Sequence, residues 1–255
     1  LYTLASNVTV ANNLTLARSN GGTSNLTFGN DGTARSLTVN ANFQVESGCQ
    51  VRVRNTSPLV THTLSIGGDF INNGSVRFTN QSVPDYTNPS PNQVVEVTMT
   101  GATDNKMDCF GQTDFYRLII DKGIDQTYVL TVNSSDTANF KLFAPNNQAN
   151  TGADDDPNPV VNKALYIKNG TMRLRNNIYI PYLTTGGNDF FVVQNACLWV
   201  DGATVYSALE GTGNRALTVI GKLRVSSGEI NTAESAGFVY RVDGVFQLEG
   251  GVAKV

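Results

Sequence analysis

Three sets of side chains in this chain are candidates for chemistry. The densest is Asp154-Asp155-Asp156, with Asn146, Asn147, Asn150 and Asn158 close by. Calcium takes roughly six to eight oxygen ligands from carboxylates, amides, carbonyls and water, which makes Asp154, Asp155 and Asp156 candidate calcium ligands. The segment matches neither the EF-hand loop nor the Gly-Gly-x-Gly-x-Asp repeat, so a solvated polar loop between Pro145 and Pro157 competes with that reading. The second set is Arg52, Arg54, Arg77, Arg173, Arg175 and Arg224, each next to apolar residues in an alternating pattern. An outward arginine stripe with Arg52 and Arg77 as neighbours would bind carboxylates or sulfates of an acidic polysaccharide. It would equally be a solvated face balanced by Glu46, Glu229 and Glu249. The third set is aromatic: Trp199, Tyr166, Tyr179, Tyr182 and Tyr206. Trp199 lies between Leu198 and Val200 and points away from any core they enter, a position suited to a sugar or to packing under a loop.

Other chemistries lack their residues. His62 is the one histidine, read as a structural residue in a turn between repeats, because metal sites and Ser-His triads need companions. Gly-x-Ser-x-Gly, His-Glu-x-x-His and the phosphate-binding Gly-x-x-x-x-Gly-Lys-[Ser/Thr] are absent from the sequence. Cys49, Cys109 and Cys197 are odd in number and far apart. They do not form a complete set of intrachain disulfides, and Cys49, in phase with Val51 and Val53, reads as a small core residue. Asn-x-Ser/Thr triplets at Asn7, Asn13, Asn25, Asn55, Asn73, Asn80, Asn133 and Asn169 read as turn and ladder residues of an Asn- and Thr-rich chain rather than glycan acceptors.

The elements that must position these groups follow from one template: apolar-x-apolar, three residues, apolar-x-apolar, then a glycine. Val8-x-Val10 precedes Leu14-x-Leu16, Leu37-x-Val39 precedes Phe43-x-Val45 and Gly48, and Leu64-x-Ile66 precedes Phe70 and Gly74. Late copies are Leu217-x-Val219 with Leu223-x-Val225 and Gly228, and Tyr240-x-Val242 with Phe246-x-Leu248 and Gly250. The first apolar residue always precedes the second pair by six, and Val8, Leu37 and Leu64 stand 29 and 27 apart. Self-similarity at that period means stacked repeats, and strand-corner-strand repeats build a β-solenoid. No 3.6-residue period persists, so helix is not expected. The expected fold is all-β, a right-handed parallel β-helix, one domain over residues 1–255 with insertions at 81–93 and 144–162.

Composition narrows the function classes. Charged residues are 15% of 255 and the net charge is −3, against roughly 25% charged in an average domain. An acidic chain lacks the basic footprint of a nucleic-acid binder. No apolar run reaches the length of a membrane helix, and no signal peptide is visible at the start. Neither end reads as a polar cap, so flanking repeats of the same chain are expected.

Leu64-Ser-Ile-Gly-Gly-Asp-Phe-Ile-Asn-Asn-Gly-Ser-Val-Arg-Phe-Thr-Asn80, Leu217-Thr-Val-Ile-Gly-Lys-Leu-Arg-Val-Ser-Ser-Gly228 and Asp114-Phe-Tyr-Arg-Leu-Ile-Ile-Asp-Lys-Gly123 resemble the repeats of large secreted parallel β-helix proteins of Bacteroidetes-type bacteria. The resemblance covers most of the chain and implies an extracellular or cell-surface bacterial protein, adhesive or structural. It also implies that Asp136-Thr137-Ala138 is similar to an O-glycosylation motif of that group. The same pectin-lyase-like architecture houses pectate lyases and polygalacturonases, but fold does not imply function. The Gly-His-Gly segment of polygalacturonases is missing, and Asp-Asp occurs only in the second insertion. A lyase would need calcium at Asp154–Asp156 with Lys163 as base. The expectation is therefore a non-catalytic surface segment with no obligatory cofactor, binding polysaccharide or host glycan along one face through Trp199, Arg52 and Arg77. The alternatives are a β-helix polysaccharide lyase or glycoside hydrolase, and a stalk without a ligand.

Overall fold

A computed structural model describes residues 1–18, 22–29, 31–55, 59–84, 91–143, 164–183, 190–207, 216–232, 237–240 and 244–254. The described chain is all-β, and its strands stack in parallel as a solenoid of about seven turns. The first turn is β1 (Tyr2–Leu4), β2 (Val8–Val10) and β3 (Leu14–Leu16), and the second is β4 (Asn25–Phe28), β5 (Ser36–Val39) and β6 (Phe43–Val45). Next come β7 (Gln50–Val53), β8 (Val60–Ile66) and β9 (Phe70–Asn72), then β10 (Ser75–Arg77), β11 (Gln93–Met99) and β12 (Asn105–Cys109). These are followed by β13 (Thr113–Phe115), β14 (Arg117–Asp121), β15 (Val129–Ser134) and β16 (Phe140–Leu142). The later turns use longer strands: β17 (Leu165–Leu174), β18 (Tyr179–Ile180), β19 (Phe190–Val192) and β20 (Ala196–Tyr206). The last are β21 (Ala216–Val219), β22 (Lys222–Asn231), β23 (Gly237–Tyr240), β24 (Val245–Leu248) and β25 (Val252–Lys254).

Each early strand pairs with the strand three places on, the signature of one turn per three strands. One sheet runs β1-β4-β7-β10-β13-β16, and β19-β21-β23 is separate. The other two runs, β2-β5-β8-β11-β14 and β3-β6-β9-β12-β15, meet in β17, which pairs with β14 through Leu165–Ile167 and with β15 through 171–174.

The register follows the sequence template. Val8, Leu37 and Leu64 are direct partners, as are Leu14, Phe43 and Phe70. That second column continues through Met107, Val132, Leu174, Val200, Val225 and Leu248. The last template copy departs from its expected alignment. Leu217 pairs with Phe238 rather than Tyr240, while Leu223 pairs with Phe246, so the spacing of six becomes eight.

Alternation sends these columns inward, where Leu37, Phe43, Leu64, Phe70, Val97, Met107, Leu118 and Val132 are 0–2% exposed. Each such burial is worth about 1.5–3 kcal/mol. A phenylalanine stack runs through the core, Phe43 to Phe70 to Phe115 to Phe140 at 5.9, 5.8 and 5.7 Å between ring centres. Phe28 and Phe78 form a branch that meets Phe115 at 5.7 Å. Cys49, Cys109 and Cys197 are buried free thiols, as read for Cys49.

Corners are made by short polar residues and by glycine. The Asn42 amide donates to Asn13 Oδ1 at 3.0 Å, the Asp69 amide to Asn42 Oδ1 at 2.8 Å and the Lys106 amide to Asp69 Oδ1 at 3.0 Å. This ladder satisfies backbone donors that leave the sheet at each corner. Two template glycines are required by geometry. A Cβ on Gly74 would lie 2.4 Å from the Cys49 carbonyl oxygen of the preceding turn. Gly228 has φ of 81° and would meet the Ala203 carbonyl oxygen at 2.2 Å.

His62 is not in a turn. It is an inward residue of β8, 0% exposed, and its Nδ1 accepts the Arg35 amide at 3.0 Å while its ring packs on Phe28. The period-two phase of β8 puts it in line with Val60 and Leu64. The first insertion is also shorter than 81–93, because Gln93 begins β11 and is 1% exposed. The insertion at 144–162 lies outside the described residues.

Candidate functional site

The most developed outward cluster is built on β17, β20 and β22. Register makes Arg173, Trp199 and Arg224 direct partners on three successive strands. Their neighbours Met172, Leu174, Leu198, Val200, Leu223 and Val225 are 0% exposed, so alternation drives the three between them outward. The guanidinium carbons lie 4.1 Å (Arg173) and 3.8 Å (Arg224) from the indole centre, one on each face. Each contact is a cation–π interaction of about 0.5–2 kcal/mol.

Hydrogen bonds fix the ladder. Trp199 Nε1 donates to Ser226 Oγ at 2.7 Å, and Ser226 and Ser227 donate to Asp201 Oδ1 at 2.8 and 3.1 Å. Asp201 Oδ2 receives Arg173 Nη2 at 2.6 Å and Arg175 Nη1 at 3.0 Å. Burial alone would raise the Asp201 carboxyl. The hydrogen bonds from Ser226, Arg173 and Ser227, with the charge of Arg173, outweigh burial and hold it below 3.8. Arg224 forms a fork with Glu249, Nε to Oε1 at 3.2 Å and Nη2 to Oε2 at 3.0 Å.

Beside the indole runs a groove of about 200 Å³ lined by Gln126, Val129, Thr171, Cys197, Lys222 and Arg224. Val129, Thr171, Cys197 and Lys222 form the outward column next to the arginine-tryptophan column. The Lys222 ammonium enters no ion pair or hydrogen bond with a described residue. The face thus sets Arg173, Arg175, Lys222 and Arg224 against Asp201 and Glu249, a local cationic excess on a chain of net charge −3.

Arg52 and Arg77 are direct partners on β7 and β10, as their spacing implied. They belong to the six-stranded sheet, whereas Trp199 is on β20 in another, so the three residues do not share a face. Arg77 is engaged: Nε donates to Asp114 Oδ2 at 2.9 Å, and Nη2 donates to the Gln81 carbonyl. Gln112 Nε2 donates to the same Asp114 oxygen at 2.8 Å. Arg52 is exposed, and no described residue pairs with it. Together with Gln50, Asn55, Ser75 and Asn80, the two arginines line a polar groove of about 290 Å³.

Asp154, Asp155 and Asp156, the candidate calcium ligands, lie outside the described residues. Among the described residues no cluster of three or more His, Cys, Asp or Glu side chains is placed to hold a metal ion. Of the triplet asparagines, Asn80 donates to Asn55, Asn133 to Asp108 and Asn169 to Asp121 at 2.6–3.0 Å, so these amides serve turn-to-turn contacts. Asp201 and Ser226 were not singled out from the sequence. The signal for them is register, since each sits one or two residues past an arginine or tryptophan of the outer column. No family model, curated protein or solved structure matches the chain.

Proposed function

We propose that this chain is a non-catalytic segment of a bacterial surface protein that holds acidic polysaccharide on the outer face around Trp199. The observation that carries this reading is the Arg173–Trp199–Arg224 ladder beside the Lys222 groove, a cationic patch on an acidic chain. Both indole faces are covered by guanidinium groups, so the face offers charge rather than an open stacking platform. Carboxylate or sulfate groups fit Lys222 and the rim of Arg224, and the indole edge forms one wall. The Arg52–Arg77 groove would act as a second, separate anion site on the other sheet.

The carboxylates around the two cationic faces favour a binding role there over hydrolysis. Asp201, Asp114, Asp121, Glu96 and Glu249 are each in an ion pair with arginine or lysine. Glycoside hydrolysis uses two carboxyl groups facing each other across the substrate, and these five are committed to cations instead.

Trp199 is the single tryptophan, so its emission reports this face directly. The test is a fluorescence titration with polygalacturonate, dextran sulfate and neutral dextran, each with and without calcium, with new reducing ends measured in parallel. A saturable change with the two charged polymers is expected, abolished by high salt and weakened about tenfold by Lys222→Glu. No change and no retention with either charged polymer would leave a stalk as the better reading. Reducing ends that form only with calcium would replace binding with lyase chemistry at Asp154–Asp156.

A further inference from the structure

Lys122 follows β14 directly and is 0% exposed, an unusual position for a lysine. Its backbone amide donates to the Asn169 carbonyl at 3.1 Å. The next turn closes over its stem, where a Cβ on Gly170 would lie 2.9 Å from Lys122 Cβ. Its ammonium donates to two neutral oxygens, the Thr100 carbonyl at 2.9 Å and Asn105 Oδ1 at 2.5 Å. The Asn105 side-chain carbonyl also accepts from Thr103 Oγ1 at 3.3 Å, so two donors polarise it. On the other side of the amide, Asn105 Nδ2 donates to Asp69 Oδ1 at 3.3 Å, and the Lys106 backbone amide anchors that carboxylate at 3.0 Å.

This sets a buried amine, a half-buried carboxamide and a half-buried carboxylate in one corner. We propose that Lys122 and Asn105 become joined by an intramolecular isopeptide bond, with Asp69 as the proton carrier. The Asn105 carbonyl carbon is one C=O bond, about 1.2 Å, beyond the oxygen that Lys122 touches. With 2.5 Å to that oxygen, the nitrogen stands at most about 3.7 Å from the carbon, near the about 3–3.5 Å at which bound groups react. Burial pushes the Lys122 ammonium below 10.5, against the raising influence of Asp104 and Asp69, and so favours the neutral, nucleophilic amine.

The step balances without a co-reactant. The Lys122 ammonium first releases a proton to solvent, and the amine nitrogen attacks the Asn105 carbonyl carbon. Asp69, which the Asn105 nitrogen already touches, takes a proton from the attacking nitrogen and passes it to the leaving nitrogen, the C–N bond breaks and ammonia leaves. The ammonia takes up the released proton as an ammonium ion. The product is a secondary amide, and a charge that burial disfavours is gone from the corner. The bond would tie residues 17 apart, linking β12 to the end of β14.

The proposal does not depend on glycan binding. Its test is the intact mass of the denatured full-length chain, followed by peptide mapping with a lysine-specific protease. A mass lower by one ammonia is expected, together with resistance to cleavage after Lys122 and a branched peptide joining the Asn105 and Lys122 segments. The full sequence mass would overturn the proposal, as would an ammonia loss mapped to an asparagine succinimide. Lys122→Arg, Lys122→Met and Asp69→Ala should each restore the full mass. A bond that still forms in Asp69→Ala would remove Asp69 from the mechanism.

Discussion

Phe115 is the residue on which the aromatic core converges, and its truncation tests how the solenoid is held together. The ring is 0% exposed and touches Phe70, Phe78 and Phe140 at 5.7–5.8 Å between centres. Deleting a buried phenylalanine side chain costs about 3–5 kcal/mol, and each aromatic pair adds about 0.5–1.5 kcal/mol beyond buried area. Phe43 is equally buried but pairs with Phe70 alone among the described rings, at 5.9 Å. Phe115→Ala should therefore sit near the top of the range, about 4–5 kcal/mol, and Phe43→Ala near about 3 kcal/mol. The assay is urea unfolding followed by far-ultraviolet circular dichroism and by Trp199 emission. With a slope of about 3 kcal/mol per molar urea, Phe115→Ala should lower the midpoint by more than about 1 M without changing the slope. Trp199 is on β20, remote in sequence from β13, yet its transition should move with the dichroism, because each turn is stabilised through its neighbours. A Phe115→Ala midpoint no lower than that of Phe43→Ala would refute the reasoning. It would mean that the core is a row of independent contacts rather than a branched stack.

Four further outcomes are expected. Burial, aided by the Arg35 charge, holds His62 below 6.5, so its contribution to stability is complete above pH 6.5 and is lost as pH falls from there through the lowered folded value. Between pH 7.5 and 5.5 the urea midpoint should fall, by no more than about 1.4 kcal/mol per pH unit, and the slope should vanish in His62→Gln. Burial pushes the Cys109 thiol up to about 12, and Cys49 is fully buried, so a thiol reagent should label neither core cysteine until the protein is unfolded; labelling of either in native protein would contradict the core assignment. Gly228→Ala should cost at least about 1–2 kcal/mol in denaturation midpoint from its left-handed backbone alone, whereas a neutral result would show that the corner re-forms around a side chain. Arg52 faces Arg77 directly, and like charges opposite each other destabilise a sheet, so Arg52→Thr should raise stability by a few tenths to about 1 kcal/mol at low salt and by less at high salt; a loss of stability would mean that Arg52 packs rather than repels.

The repeat period was legible because the core demands it. Val8, Leu37 and Leu64 recur at the spacing that the sheet then uses as its register, and the partnership of Arg52 with Arg77 follows from the same alignment. The corner ladder was equally legible in principle. Asn13, Asn42 and Asp69 recur at 29 and 27 residues, each just before the second apolar pair. Beyond residue 164 the legibility falls. There one strand serves two sheets, as β17 does, and the partners of Leu217 and Leu223 in the last copy stand eight apart instead of six. Trp199 was placed outward correctly from its neighbours, but its partners come from strands about 25 residues before and after it. Alternation gives a side chain's direction; only the register of all three strands shows that both indole faces are taken.

That distinction decides where function is read in a fold of this kind. Strands in a sheet lie about 4.7–4.9 Å apart, so every outward column is a row of groups held at contact distance whether or not they suit one another. Where the column reads Arg173, Trp199, Arg224, an aromatic ring separates two cations and each gains a partner. Where it reads Thr27, Arg52, Arg77, Asp114, the pair of cations is relieved on one side only, by Asp114 against Arg77. Among the described residues Arg52 has a like charge beside it and no counterion, and the Lys222 ammonium beside the tryptophan ladder has no paired carboxylate. Inward columns are constrained by packing and tolerate few such mismatches. An outward column retains an uncompensated cation at a cost in stability, and an acidic ligand is the kind of partner that offsets it.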